Sequence, residues 1–340
     1  MRVSFATAGL VALLACGGPA APSPAASPAP VPAPVGDAGV PPAEPPPVAS
    51  PVDAGPPQPT PRGPTLAGCP MFPVDNAWNR DVSTDPVDPH SADYVAFMGS
   101  GLVLWPAFGG EYGQPFAVVP ATQAKVPMSF LYSSQSDPGP YPFPADVPIE
   151  PWEDRHAVVL QQGECRVYET YNTYASGSGF QADSGAMFDL VSGAQRPDGW
   201  TSATAAGLPI LPGLARYDEA VEQGEIRHAL TYIAGATAHA WVAPATHSVG
   251  TSDARWAPPM GLRVRLRADY DLSRFHGASL VVLRALQRYG MFITDNAGGQ
   301  AWYLKGTHDA RWSVPDLDQL KSILASAFEV VKLGDVRGGL

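Results

Sequence analysis

Cysteine is scarce in this chain, with three in 340 residues. None stands within metal-finger spacing of another, which speaks against a cysteine-built zinc site. Also missing are a G-x-S-x-G elbow, a P-loop, a dinucleotide glycine fingerprint and an H-E-x-x-H helix. The local signatures of serine hydrolases, nucleotide enzymes and zinc proteases are therefore absent. Neither a metal nor a cofactor is expected. No aromatic residue occurs between Gly17 and Leu66, so that stretch has nothing with which to build a core. Basic residues are few as well, 21 against 32 acidic. With the five charges before Ala67 removed, the body carries 29 acidic and 19 basic residues. This balance argues against nucleic acid as a partner.

The opening MRVSFATAGLVALLAC joins a basic start at Arg2 to an apolar run ending at Leu14, Ala15 and Cys16. That order matches a lipoprotein signal, in which cleavage leaves a lipidated cysteine at the new N-terminus. The run is too short to span a bilayer, which needs roughly 20 residues. Residues 1–16 thus read as signal and lipobox, with membrane attachment through the lipid on Cys16 alone. Residues 17–66 hold 18 of the 39 prolines and read as an extended tether. Export and anchoring predict a cell-envelope location, on the periplasmic or the extracellular face. In such a compartment the remaining pair, Cys69 and Cys165, is most simply a disulfide.

Residues 67–340 are long enough for a sizeable core. Between Leu102 and Tyr174 short β-branched and aromatic runs alternate with proline-rich turns, and the two arms around Gln162, Gly163 and Glu164 predict a β-hairpin. The pattern predicts a mainly β domain with peripheral helices, a β-sandwich or jelly-roll of antiparallel sheets. Helical spacing appears at Leu280, Leu283, Leu286 and Tyr289 before Gly290, and again at Leu317, Leu320 and Leu324. MFITDN and QAWYLKG read as a second hairpin.

Candidate chemistry concentrates between Asp183 and Tyr232. Glycosidic cleavage needs two carboxyl groups held in different protonation states, and aromatic platforms for the sugar. Asp189, Asp218 and Glu219 are the candidate carboxylates, with His228 beside them and Asp295 in reserve. Alternation sets His228 on the face of Ile226, Leu230 and Tyr232, as a core histidine or as one wall of a pocket. His247, Trp200 and the row Arg263, Arg265 and Arg267 are candidate binding residues. The row is expected on the face opposite Leu262, Val264 and Leu266, where it would pair with the domain's own carboxylates or hold an anionic glycan.

The segments FPVDNAWNRDVS, SGAMFDL, RPDGWTSATAAGLPILPGLARYDE, EIRHAL and LQRYGMFITDN resemble a family of exported bacterial proteins. The likeness runs from Phe72 to Val331 and implies one structural unit, with no site residue attached. The expected role is that of a surface-anchored lipoprotein acting on extracellular or cell-wall polysaccharide, foremost as a glycoside hydrolase. A lyase would instead use His228 or a tyrosine as base and the arginine row to neutralise a uronate. The alternative is a non-catalytic module binding glycan or envelope. Metal-dependent hydrolysis would require His228, His239 or His247 to converge with Asp253 or another carboxylate.

Overall fold

The computed structural model describes residues 63–297 and 299–338. The signal segment and nearly all of the tether, including Cys16, lie outside the described residues. The protein is mainly β, with few short helices. Its largest sheet has six strands in the order Phe328–Val330, Arg263–Leu266, Met291–Asn296, Leu230–Ala234, Trp302–Lys305 and Leu104–Ala107. A second sheet has four, in the order Ser184–Asp189, Arg166–Tyr171, Ala157–Gln161 and Ala117–Val119. The hairpin around Gly163 forms as expected, with Val159 opposite Tyr168.

The sheets are mixed. Leu230–Ala234 runs parallel to Met291–Asn296 and Trp302–Lys305 runs parallel to Leu104–Ala107, while the remaining large-sheet pairs are antiparallel. The expected hairpin of MFITDN with QAWYLKG is not made. The two strands lie on either side of Leu230–Ala234 instead, one parallel to it and one antiparallel. Leu230, Tyr232, Met291, Ile293, Trp302 and Leu304 are all fully buried, and a central position buries these apolar residues more completely than a two-stranded ribbon would.

Helix Gly277–Arg288 buries Val282, Leu283, Ala285 and Leu286. Its first amides, at Ala278 and Ser279, are capped from a distant segment by the carboxylate of Asp316. Gly290 ends it at φ +64°, where a side chain would strike the carbonyl of Val264. Ser91 begins the short helix Ser91–Phe97, but its hydroxyl accepts from the Val330 amide, so it fastens the helix to the large sheet.

Cys69 and Cys165 are joined in a disulfide that ties the first strand pair, Thr65–Leu66 with Cys69–Pro70, to the Gly163 turn. Pairing therefore already begins within the last residues of the expected tether.

Arg263 and Arg265 depart from the expected outward row. Both are buried, because strand Arg263–Leu266 is covered on both faces. The guanidinium of Arg263 donates to the carbonyls of Ala77, Arg80 and Tyr289 and lies over the Phe292 ring. Arg265 reaches Glu329 and the carbonyl of Val82. Only Arg267 is exposed, beside Asp269. Stranding buried partners of a charge is costly, whereas exposed ion pairs contribute little. Arg263→Ala, which strands the carbonyls of Ala77, Arg80 and Tyr289, should lower stability by about 1–3 kcal/mol for each acceptor left buried, and Arg267→Ala by about 1 kcal/mol or less. Urea unfolding of both variants measures the contrast.

Candidate functional site

One end of the four-stranded sheet and the C-terminal ends of the two parallel strands of the large sheet border the same cavity. Tyr171 and Ser184 are cross-strand partners at that end of the smaller sheet. Ile233 and Asp295 are partners in the large sheet, immediately after a bulge at Tyr232/Ile233. A bulge breaks strict alternation. As a result Thr294 and Asp295, adjacent in sequence, both line the inner part of the cavity. Loops supply the rest: Tyr132 and Gln135, Asp154, Thr201 to Ala205, and His247 with Val249.

The cavity has two parts. The outer one has a volume of about 570 Å³, and its wall mixes apolar side chains such as Ile233 and Val249 with the hydroxyl and amide groups of Ser184, Thr201, Ser202, Thr204 and Asn296. The inner chamber, about 30 Å³, is lined by Gln114, His156, Thr231, Thr294 and Lys305 among others. Asp154, Thr204, Ile233 and Asp295 line both parts. The junction therefore carries two carboxyl groups.

The two carboxyls differ in setting. Asp154 stands at the exposed rim. Burial raises the pKa of Asp295, and the charge of Asp154 adds to the effect, against the opposing amide of Asn296 at 2.8 Å. Tyr171 is likewise pushed up by burial and by the charges of Asp154, Asp183 and Asp295.

Below Asp154 lies a buried clamp. His156 Nδ1 meets Glu150 Oε2 at 2.6 Å and Nε2 meets the Ala203 carbonyl at 3.0 Å. Two acceptors require both ring nitrogens to donate, which is the imidazolium form. Burial pulls the His156 pKa down, but the hydrogen bond and charge of Glu150 outweigh it and leave it raised. Burial pushes Glu150 up, and His156 outweighs that in turn, leaving it lowered. The clamp ties the loop bearing Asp154 to the loop bearing Thr204. A second clamp is Arg196, which pairs with Asp137 and donates to the carbonyls of Gln135 and Thr201. His247 Nδ1 lies 2.8 Å from the Ala205 carbonyl. Donating there leaves Nε2 as the ring's acceptor.

Of the residues singled out from sequence, His247 and Asp295 come together here. Asp189 sits at the far end of the strand that Ser184 begins, and its carboxylate accepts the amides of Val191 and Ser192. Asp218 pairs with Arg216 at 3.1 Å. Glu219 and His228 are buried in a cluster with the same arginine, at 2.8 Å to Arg216 and 3.0 Å between Glu219 and His228. None of these four lines the cavity. Trp200 is half-buried near the Arg196 guanidinium, and its carbonyl takes the Thr246 hydroxyl.

Asp154, Lys305 and Gln114 did not stand out in sequence. His156, at the entrance of a buried-looking strand directly after Glu153, Asp154 and Arg155, reads as a hydrogen-bonded structural histidine, and its ring is held by Glu150 and the Ala203 carbonyl. No family model, curated protein or solved structure matches the chain. Among the described residues no group of three or more His, Cys, Asp or Glu side chains is placed to hold a metal ion. His239 and Asp253 do meet, at 3.6 Å, while His228 and His247 are engaged elsewhere.

The clamp has a definite pH signature. Its contribution to stability is fully present above the ordinary glutamate value of 4.5 and below the ordinary histidine value of 6.5. It is lost as pH rises through the raised His156 pKa and as pH falls through the lowered Glu150 pKa. His156→Gln, which leaves Glu150 unpaired, should cost about 3–5 kcal/mol within that window. Denaturant midpoints of wild type and variant should converge on either side of it.

Proposed function

We propose that this protein is a glycoside hydrolase of the cell envelope and that its reaction takes place at the junction of the two chambers. What carries the reading is the presence of Asp154 and Asp295 in one cavity that also offers hydroxyl groups, with the pKa of the buried Asp295 raised by burial. Glycosidic cleavage asks for such a division: one carboxylic acid gives a proton to the departing oxygen, and a carboxylate faces the positive charge that develops on the sugar ring. Asp295 takes the acid role and Asp154 the carboxylate role. Tyr132, half exposed, and Tyr171 offer ring faces at the outer chamber. Serine, threonine and asparagine groups offer partners for sugar hydroxyls.

The lipid on Cys16 and the proline-rich tether would hold the domain away from the membrane, where extracellular or cell-wall polysaccharide is within reach. His247 supports the reading as a polar wall of the same cavity. The arginine row does not enter it, since Arg263 and Arg265 are occupied by backbone carbonyls and Glu329. A uronate lyase relying on that row is correspondingly disfavoured.

The test is release of new reducing ends from a polysaccharide panel. Asp295→Asn and Asp154→Asn should each lower kcat by about 10²–10⁴-fold, with unchanged thermal midpoints. Activity should fall as pH rises through the raised pKa of Asp295, because the acid must be protonated. Binding without new reducing ends would favour the glycan-binding module, and undiminished cleavage in both variants would remove these carboxyls from the reaction.

A further inference from the structure

The inner chamber holds two polar groups that the protein itself does not satisfy. Gln114 is 1% exposed, and its Nε2 donates to the Pro115 carbonyl at 3.1 Å. That contact fixes the amide, since turning it over would set Oε1 against a carbonyl oxygen. Oε1 is buried and meets no donor. Lys305, at the end of strand Trp302–Lys305 and partly exposed, lines the same chamber; its charge acts on Glu150 and His156, but its ammonium makes no hydrogen bond or ion pair among the described residues. The chamber thus pairs an acceptor lacking a donor with a donor lacking an acceptor. Nearby hydroxyls do not supply the deficit, because Thr204 donates to the Leu208 carbonyl and Thr231 to that of Gly213.

A volume of about 30 Å³ exceeds the ~10–15 Å³ that a single water requires. It suits one exocyclic hydroxymethyl group reaching in from a sugar ring seated at the junction. A hydroxyl both donates and accepts, so one such group answers Gln114 Oε1 and Lys305 Nζ together. A carboxylate accepts from Lys305 but turns lone pairs on Gln114 Oε1 and negative charge on Asp154. A pentopyranose such as a xylosyl unit, with no exocyclic carbon, satisfies neither group.

We propose that Gln114 and Lys305 form a specificity pocket for the exocyclic hydroxyl of a neutral hexosyl unit. This rests on the reading of the junction as a glycosidase site. It confers preference for neutral hexosides over pentosides and uronosides. Buried polar groups left unpaired by the wrong substrate are what make such discrimination strong.

The experiment measures kcat/KM of the exported protein on soluble oligosaccharides of glucose, galactose, mannose, xylose and glucuronic acid, in both anomeric linkages, by reducing-end release. At least one neutral hexose series should exceed the xylose series of the same linkage by about 10²-fold or more, with the uronosides also disfavoured. Gln114→Leu and Lys305→Met should each narrow the gap, lowering hexoside turnover relative to xyloside turnover. The two substitutions are made separately, so a folding defect in one, seen in its thermal midpoint, leaves the other to decide. Turnover without discrimination, or a preference for uronosides, overturns the pocket while the glycosidase reading stands. No turnover on any series removes that reading and the pocket with it.

Discussion

Buried backbone groups must find partners, and in a chain so rich in proline and loops the regular ladders leave many unmatched. Here the deficit is met by long polar side chains brought inward. Glu169, fully buried, takes the amides of Ile210 and Leu211 on its carboxylate. Asn79 gives its amide to the carbonyls of Met71, Phe72 and Pro73. Arg263 serves three carbonyls and Arg216 reaches that of Thr65. Each charge is costly to desolvate, which is why burial pushes Glu169 up to about 7 against the pull of its two amide partners. Several loops are held in place by these groups more than by packing alone.

The cavity follows from the same constraint. His156 pins the loop of Thr204 to the loop of Asp154 through the Ala203 carbonyl, and Arg196 pins Gln135 to Thr201. Between these clamps the ends of two sheets are kept apart, and the bulge at Tyr232/Ile233 turns Thr294 and Asp295 toward the opening. The walls therefore carry polar groups anchored by these clamps, while Tyr232, Ile293 and Trp302 belong to the apolar core. A preformed site of this kind loses little freedom on meeting a ligand.

Much of the fold was legible in local pattern. Alternating β-branched residues announced the hairpin of Ala157–Gln161 with Arg166–Tyr171, and helical spacing with a closing glycine announced Gly277–Arg288. Patterns that depend on distant partners were not legible. Arg263, Arg265 and Arg267 alternate as an exposed row would, yet two of them are drawn inward by carbonyls far away in sequence. MFITDN and QAWYLKG carry hairpin signals, yet a third strand comes between them because their apolar faces are better buried at the sheet centre. Of the candidate residues, Asp295 and His247 line the cavity, whereas Asp218, Glu219 and His228 form an internal charge cluster centred on Arg216. Nothing in local sequence distinguishes a carboxylate that caps a turn, as Asp189 does, from one that lines a cavity.

The stretch from Asp183 to Tyr232 still matters, as the source of the loop from Thr201 to Ala205 that closes one side of the cavity. The proposed chemistry turns on Asp295, whose pKa is raised by burial, with the charge of Asp154 adding to the effect and that of His156 opposing it. Carboxyl carbon NMR on aspartate-labelled protein, with Asp295 assigned by its substitution, measures that pKa directly. The account predicts that Asp295 titrates above the ordinary value of 3.8, and that Asp154→Asn moves it back toward that value. An Asp295 that titrates at or below the ordinary value and ignores the loss of Asp154 would contradict the account.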